Sequence, residues 1–253
     1  MVKAVRFLAL AVLLLPAVVP AADGPEAGNA LLVERIGEAF ALGSGDLLYT
    51  EHHREQVDNG RVVASEVTYR DTSGASFAVK SLDFSANALA PDFRLDNGRA
   101  GHIEQANKNG DELKVAFKHP RRDELNEVVL PLPADAIIDA GFDRFIETHW
   151  AELKAGETLR RYFLVPSMQE FLRFRIRSTG QATIDGRRAE VIVLEPDSGL
   201  LRLLVTPIKT FYTSDKPSLL RYEGVSNMRG ADGKNYKVRI DFGTQRTISA
   251  SAQ

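Results

Sequence analysis

The chain has 253 residues and carries 32 Lys and Arg against 34 Asp and Glu, a formal net charge of -2 at pH 7. A balance this close to neutral argues against a nucleic-acid-binding protein, which would present a strongly basic domain. The sequence contains no cysteine, which excludes disulfide bonds, thiol catalysis, thiolate metal sites and a lipid anchor on an N-terminal cysteine.

The N-terminal segment, residues 1–21, has the pattern of a secretory signal peptide. Two positive charges precede an apolar run from Phe7 to Leu15, and small residues follow. This three-part layout is typical of exported proteins. The apolar run is shorter than the roughly 20 residues that cross a bilayer, and an uncleaved anchor is the alternative interpretation. Small side chains at Val19 and Ala21 favour cleavage after Ala21, so we predict a periplasmic protein with no transmembrane segment after signal cleavage.

The rest of the chain is predicted to form a single β-rich domain over residues 31–253, after a disordered lead-in over residues 22–30. No second long apolar segment and no low-complexity linker divides the sequence. Its length suits one large β architecture. A short helix is predicted at the start of the domain, over residues 30–42.

Turn signals recur along the domain and separate short segments that are rich in β-branched and aromatic residues. Asn-Gly and Asp-Gly supply the positive φ angles that tight hairpins require, so these segments are predicted to be antiparallel strands. The turn signals stand at residues 58–60, 73–74, 96–98, 109–110, 185–186, 198–199 and 232–233.

Several of these segments alternate between apolar and polar residues. A period of two is what a half-buried strand produces, with one face on the core and one in water. The apolar sets are Val63, Val67 and Tyr69; Leu172, Phe174 and Ile176, between Arg173, Arg175 and Arg177; and Tyr236, Val238, Ile240 and Phe242, between Lys237, Arg239 and Asp241.

One segment has helical rather than alternating spacing. Between residues 135 and 153, apolar side chains recur at a helical period, with Asp135 as a predicted N-cap and Gly156 as the C-terminal left-handed residue. A helix with one apolar stripe must bury that stripe against a sheet face. The predicted fold is therefore mainly β: a strongly curved antiparallel sheet or partly open β-barrel, with one central amphipathic helix packed on its concave face. The stripe consists of Ile138, Phe142, Phe145, Ile146 and Leu153.

The stripe and one strand supply the candidate ligand-binding residues. His149 falls within the stripe together with Phe142 and Phe145, and Trp150 covers its edge. A histidine on an apolar face is usually a core residue that is hydrogen-bonded through one nitrogen, with ligand binding or proton transfer as the alternative. The row Arg173, Arg175 and Arg177 could bind lipid head groups or phosphates, because arginine binds phosphate in a bidentate manner. Cross-strand pairing with Asp and Glu is the structural alternative.

A metal site is the second kind of candidate. Glu51, His53 and Glu55 share one face of a predicted strand and could provide half of a site, with His149 arriving from the helix. The alternative is a wet strand face whose charges pair with neighbouring arginines. The sequence around Ser226 lacks the last glycine of a nucleophile elbow, so no catalytic residue is assigned. Phosphate-loop, dinucleotide and His-Glu-x-x-His motifs do not occur, and no cofactor is predicted.

Two stretches, Asp139–Phe145 and Leu219–Asn227, resemble a group of exported proteobacterial proteins of unknown function. The resemblance covers most of the domain but carries no known catalytic motif. The predicted half-barrel with a helix inside is also similar to the periplasmic lipoprotein carriers of the Lol system. That likeness concerns architecture alone, and architecture by itself does not establish function.

Three functional hypotheses follow from these features. The first is a non-enzymatic periplasmic protein that binds an apolar or amphipathic, lipid-like ligand in the curved sheet. The second is a cell-envelope interaction module that contacts another protein or the cell wall through an edge strand or the basic face. The third is a metal-dependent hydrolase built on the Glu51, His53, Glu55 and His149 set.

Overall fold

A computed structural model describes residues 31–249 except Arg121 and Ala231. The predicted signal peptide and the lead-in over residues 22–30 lie outside the described residues. Within residues 31–249, apart from those two, no helix has the length and apolarity needed to cross a membrane.

The first half of the domain is an antiparallel meander in which each strand pairs with the next along the chain. The predicted turn signals lie between its strands, and Asn59 and Gly60 both have the positive φ that the first of these turns requires. Its strands are β1 (Leu31–Ala41), β2 (Leu47–Asp58), β3 (Arg61–Asp71), β4 (Ser76–Asp83), β5 (Asp92–Asn97), β6 (His102–Asn109), β7 (Glu112–Lys118) and β8 (Leu125–Pro131).

The second half begins with a short strand, continues through two short helices and ends in a second meander. Strand β9 (Ala136–Ile137) precedes α1 (Gly141–Thr148) and α2 (Trp150–Lys154), and α3 (Gly199–Leu204) interrupts the later strands. Those strands are β10 (Thr158–Val165), β11 (Glu170–Ile184), β12 (Arg187–Pro196), β13 (Ile208–Thr213), β14 (Leu219–Arg229), β15 (Asn235–Phe242) and β16 (Arg246–Ser249).

The two meanders join into one sheet along β1. This strand pairs with β2 on one side and with β15 and β16 on the other, so that Ala39 lies opposite both Tyr49 and Ile240. Strands β8 and β9 form the two edges of the sheet, and only residues 132–135 connect them. The predicted strongly curved sheet, not closed into a barrel, is therefore confirmed.

The helix predicted over residues 30–42 is wrong, because this segment is the strand β1. Its helix-forming residues favour a helix locally, but propensity is a small term that tertiary context overrides. Hydrogen bonding to strands on both sides satisfies the backbone of Leu31–Ala41, and Ala39 becomes fully buried.

The helix predicted over residues 135–153 begins six residues too early. Residues 136 and 137 form β9, which pairs in parallel with β10, and Asp139 then takes a left-handed φ of 45°. Asp tolerates this conformation better than most residues. Helix α1 therefore begins after Ala140, and Asp135 is not its N-cap.

The helical segment is also divided at His149, where α1 ends and α2 begins. The C-terminal prediction is confirmed: Gly156 has a φ of +87°. Its N–H donates to the carbonyl of Leu153, and the N–H of Glu157 donates to that of Glu152. These two bonds form a Schellman motif that closes α2.

Gly141 fixes where α1 meets the sheet. A Cβ at this position would lie 2.0 Å from the carbonyl oxygen of Leu89, in the connection between β4 and β5. The N–H of Ile138 donates to the same carbonyl oxygen at 3.0 Å. The helix is therefore held against this connection at backbone distance, and Phe145, Ile146 and Leu153 are fully buried beneath it.

Candidate ligand cavity

A cavity of about 520 Å³ lies between the concave face of the sheet and the start of α1. Phenylalanine and aliphatic side chains from both meanders form most of its wall. This apolar part consists of Val67, Leu82, Phe84, Phe93, Ile138, Ala140, Phe142, Phe163, Leu164, Val165, Pro166, Phe174, Leu194, Ile208, Leu219, Val225, Ile240 and Phe242.

The alternation of the strands places these side chains inside. In β4, Ala78, Lys80 and Leu82 point inward, whereas Val79 and Ser81 point to the exposed face. The same period puts polar residues inside wherever they occupy an inward position. Lys80, in an otherwise apolar inward row, therefore places its ammonium group in the cavity wall.

Lys80 forms a largely buried ion pair in the cavity wall. Its Nζ lies 2.7 Å from Oδ1 of Asp139, and the two side chains are only 12% and 14% exposed. Burial on its own would lower the pKa of Lys80, but Asp139, with Glu51 and Glu104 further away, raises it overall. Lys80 therefore stays charged.

Acidic and phenolic groups surround this pair. Glu51 accepts a hydrogen bond from His53 at 3.0 Å when that imidazole nitrogen is protonated, and Glu104 is similarly 3.0 Å from His102. Burial, followed by the charge of Glu51, raises the pKa of Tyr69 well above its usual value. The cavity thus combines a large apolar wall with an extensive set of polar and charged side chains.

The cavity reaches the end of the sheet where β10 turns into β11. Pro166 and Ser167 of that turn line it, as do Arg229 and Asn235 on either side of the turn between β14 and β15. The Nε atom of Arg229 is buried and makes no hydrogen bond within the described residues, and burial lowers the pKa of this guanidinium. This end of the cavity is therefore polar.

The predicted ligand-binding stripe is split by the structure. Phe142 lines the cavity, but Phe145 is buried in the core beneath α1. His149 pairs through Nδ1 with Glu152 and packs on Phe145, their ring centroids 4.4 Å apart. Trp150 packs edge-on against Tyr212. Of these four candidates, only Phe142 is in the cavity wall.

Arg173, Arg175 and Arg177 lie on the outer face of β11, pointing away from the cavity. Arg175 and Arg177 both pair with Glu195 of β12, at 2.7 and 3.3 Å. Arg173 lies 3.8 Å from Asp197. The cross-strand pairing that the sequence left open as an alternative is thus present, and the row is not part of the cavity.

The candidate metal ligands are only partly brought together. Glu51, His53 and Glu55 line the cavity side by side, as their spacing predicts. His149 does not join them, because its Nδ1 contacts the carboxylate of Glu152. Within the described ranges, no three His, Asp or Glu side chains assemble as a metal-binding group, so the third ligand of the proposed site is not in place.

Ser226 has a structural contact. Its hydroxyl lies 2.9 Å from the hydroxyl of Tyr49 and accepts a hydrogen bond from the N–H of Met228.

Sequence reasoning missed Lys80 and Asp139 altogether. The inward position of Lys80 between Ala78 and Leu82 was the signal that could have identified it. The position of Asp139 depends on a turn within a segment that was predicted to be helical.

No known protein family matches the chain, and no characterised protein is similar to it in sequence. Its fold is similar to that of a beta-barrel-like protein of the domain of unknown function DUF1849 from Brucella abortus, with a TM-score of 0.51 at 8% identity over 87% of this chain and 99% of that one. This likeness shows the fold alone, and it confirms the predicted resemblance to β-rich proteins of unknown function.

Two further solved structures match with TM-scores below 0.5, too low to establish a shared fold. One is a DUF1329 family protein from Desulfovibrio piger, with a TM-score of 0.33 at 10% identity over 90% of this chain and 89% of that one. The other is a putative outer membrane lipoprotein-sorting protein domain from Vibrio parahaemolyticus, with a TM-score of 0.30 at 8% identity over the same shares of the two chains.

Proposed function

We propose that this protein binds an apolar or amphipathic, lipid-like ligand in the cavity and performs no chemistry on it. The observation that carries the proposal is the cavity of about 520 Å³, which has a phenylalanine-rich apolar wall and polar or charged side chains at half of its lining positions. Ligand sites in proteins are typically about 300–1,000 Å³, mostly apolar, with a small number of polar groups that fix orientation.

The distribution of polar groups supports an amphipathic ligand. The pair of Lys80 and Asp139 and the pair of Glu51 and His53 both line the cavity, beside apolar side chains such as Phe142 and Phe242. A hydrocarbon tail would contact the phenyl rings, while a polar head could hydrogen-bond near the paired charges. An envelope location is part of the proposal, and the signal-peptide pattern of residues 1–21 supports it.

Native mass spectrometry of the protein recovered from an expressing bacterium tests the proposal directly. We expect a fraction with added mass that organic extraction releases as lipid, and uptake of a dansyl-labelled fatty acid by the stripped protein. A single mass equal to that of the polypeptide, together with no uptake of the fatty acid, would rule the proposal out.

A matched pair of alanines sharpens this test. Ala140, which caps α1, lines the cavity with φ and ψ of -70° and -2°; Ala155, which caps α2, is exposed with -73° and -3°. Ala140→Trp places an indole in the cavity, and we expect it to weaken fatty-acid binding by about tenfold or more, a difference of about 1.4 kcal/mol. Ala155→Trp adds the same side chain outside and should leave binding unchanged. Equal affinities for the two variants would contradict a site in this cavity.

A further inference from the structure

Helix α3 exposes an unusual amount of apolar surface. Leu200 and Leu203 are 70% and 82% exposed, and Leu201 and Val205 are also exposed. A single exposed leucine needs no explanation, but a contiguous exposed apolar segment marks an interaction site. The sequence of this connection, Gly199 to Val205, contains one charged residue, Arg202.

A side-chain hydrogen bond ties the helix to the chain that follows β12. Nη1 of Arg202 donates to the carbonyl of Asp197 at 2.7 Å, and the N–H of Arg202 donates to the carbonyl of Ser198. The strands on either side are joined where Leu194 lies opposite Ile208. The leucines are therefore presented outward by a connection that is fixed at both ends.

A net positive surface adjoins this helix. The outer face of β10 and β11 carries four arginines, defined here as the arginine face; their carboxylate partners among the described residues are Glu195 and Asp197. Asp197, shared by Arg160 and Arg173, comes two residues before α3. Four guanidinium groups against two carboxylates leave a net charge of about +2 beside the exposed leucines. The arginine face consists of Arg160, Arg173, Arg175 and Arg177.

We propose that α3 and the arginine face together dock this protein on the surface of an anionic lipid bilayer. The leucines of α3 would enter the interface between head groups and acyl chains, and the arginines would contact lipid phosphates. Interfacial binding combines buried apolar area with attraction to anionic lipid in this way. The exposed leucines alone would fit a protein partner equally well. Together with the positive arginine face, they match a partner that is both apolar and anionic, as an anionic lipid bilayer is.

The docking surface lies at the end of the sheet that the cavity reaches. Helix α3 follows the end of β12, and β11 begins beside it after the turn that contains Pro166 and Ser167. Docking would therefore bring the polar end of the cavity close to the bilayer. The proposal goes beyond ligand binding and does not depend on it, because the exposed leucines and the arginine face exist whether or not the cavity is filled.

Flotation with lipid vesicles tests the apolar contact. The whole chain should bind vesicles of phosphatidylcholine mixed with phosphatidylglycerol, and the pair Leu200→Ser and Leu203→Ser should lower the partition coefficient by about tenfold or more. The pair Ile36→Ser and Val129→Ser removes comparably exposed side chains, at 48% and 59%, from strands. This control should bind like the unchanged protein.

The charged contact is tested with the same vesicles. Arg160 and Arg173 are about half exposed, as are Arg54 and Arg94 elsewhere on the protein. The pair Arg160→Gln and Arg173→Gln should weaken binding to the anionic vesicles by about fivefold per arginine. The same changes at Arg54 and Arg94 should weaken it much less, and vesicles of phosphatidylcholine alone should not distinguish the two pairs.

Three outcomes would overturn the docking proposal. They are absence of flotation by the unchanged chain, flotation that survives the leucine changes at full strength, and a soluble dimer that those changes dissociate. The last outcome would assign α3 to contact between copies of the chain instead. Circular dichroism and thermal unfolding of each variant establish that a loss of binding is not a loss of fold.

Discussion

Lys80 on the concave face and Arg175 on the outer face both hold a carboxylate oxygen at 2.7 Å. Their surroundings differ. Asp139 pairs with Lys80 and with no second cation among the described residues, whereas Glu195 receives both Arg175 and Arg177. The inner carboxylate thus has one cationic partner, whereas the outer carboxylate, which is also buried, has two. The two ion pairs have the same length, but removing one partner should lower the free energy of unfolding by different amounts in the two pairs.

The largest effect is expected for removal of the inner cation. Lys80→Met leaves the Asp139 carboxylate buried without its partner, and we expect the free energy of unfolding to fall by about 3–5 kcal/mol, measured by urea denaturation. The double variant Lys80→Met with Asp139→Asn removes both charges and should recover most of that loss, because asparagine also tolerates the left-handed φ at this position. A double variant as unstable as Lys80→Met would show that the charges are not coupled.

An intermediate effect is expected at high pH, which acts on the inner face selectively. The folded pKa of Lys80 is raised, mainly by Asp139 against the opposing effect of burial, and that of Tyr69 is raised by burial and neighbouring carboxylates. Both groups bind their proton more tightly when folded, so their contribution is complete below the unfolded pKa values of about 10 and is lost as pH rises through the folded ones. Arginines stay charged throughout this range.

Unfolding free energies measured from pH 9 to pH 12 should therefore fall steeply above about pH 10. Tyr69→Phe removes one of the responsible groups and should reduce the slope by about 1.4 kcal/mol per pH unit. Arg175→Gln is the control for the outer face and should leave the slope as it is. An unchanged slope in Tyr69→Phe would mean that this phenol is not the group that resists ionisation.

The smallest effect is expected for a single change in the outer ladder. Arg175→Gln should lower the free energy of unfolding by less than about 1 kcal/mol, because Arg177 remains 3.3 Å from Glu195. Adding Arg177→Gln should cost more than twice as much as the first change, since Glu195, itself only 9% exposed, then loses both partners. Strictly additive losses in denaturant unfolding would contradict the redundancy.

Local patterns in the sequence predicted most of the strands. Alternation placed Phe174 and Ile176 on the face opposite Arg175, and the turn residues marked where the strands end. The same reasoning failed where long-range pairing decides the conformation. Leu31–Ala41 has helical propensity, but strands from both meanders pair with it.

The cavity could not be predicted as a site because its residues come from strands far apart in the chain. Phe93 and Phe174 share its wall only because the two meanders curve toward each other. The helical pattern was correct for Phe142 but could not reveal that the left-handed turn at Asp139 aims this helix into the sheet. Periodicity shows which side of an element is buried, but not which distant element covers it.

The seam between β1 and β15 has a consequence for how the chain acquires its structure. Ala39 finds Ile240 only after nearly all of the intervening polypeptide is available. A pairing between residues this far apart in the chain forms slowly, because a long loop must close before its contacts contribute. Until β15 arrives, β1 is an open strand edge beside a meander that can already be complete, and such an edge is a template for pairing with other chains. The seam that unites the two halves is therefore the step at which a newly made chain is most exposed to misassembly.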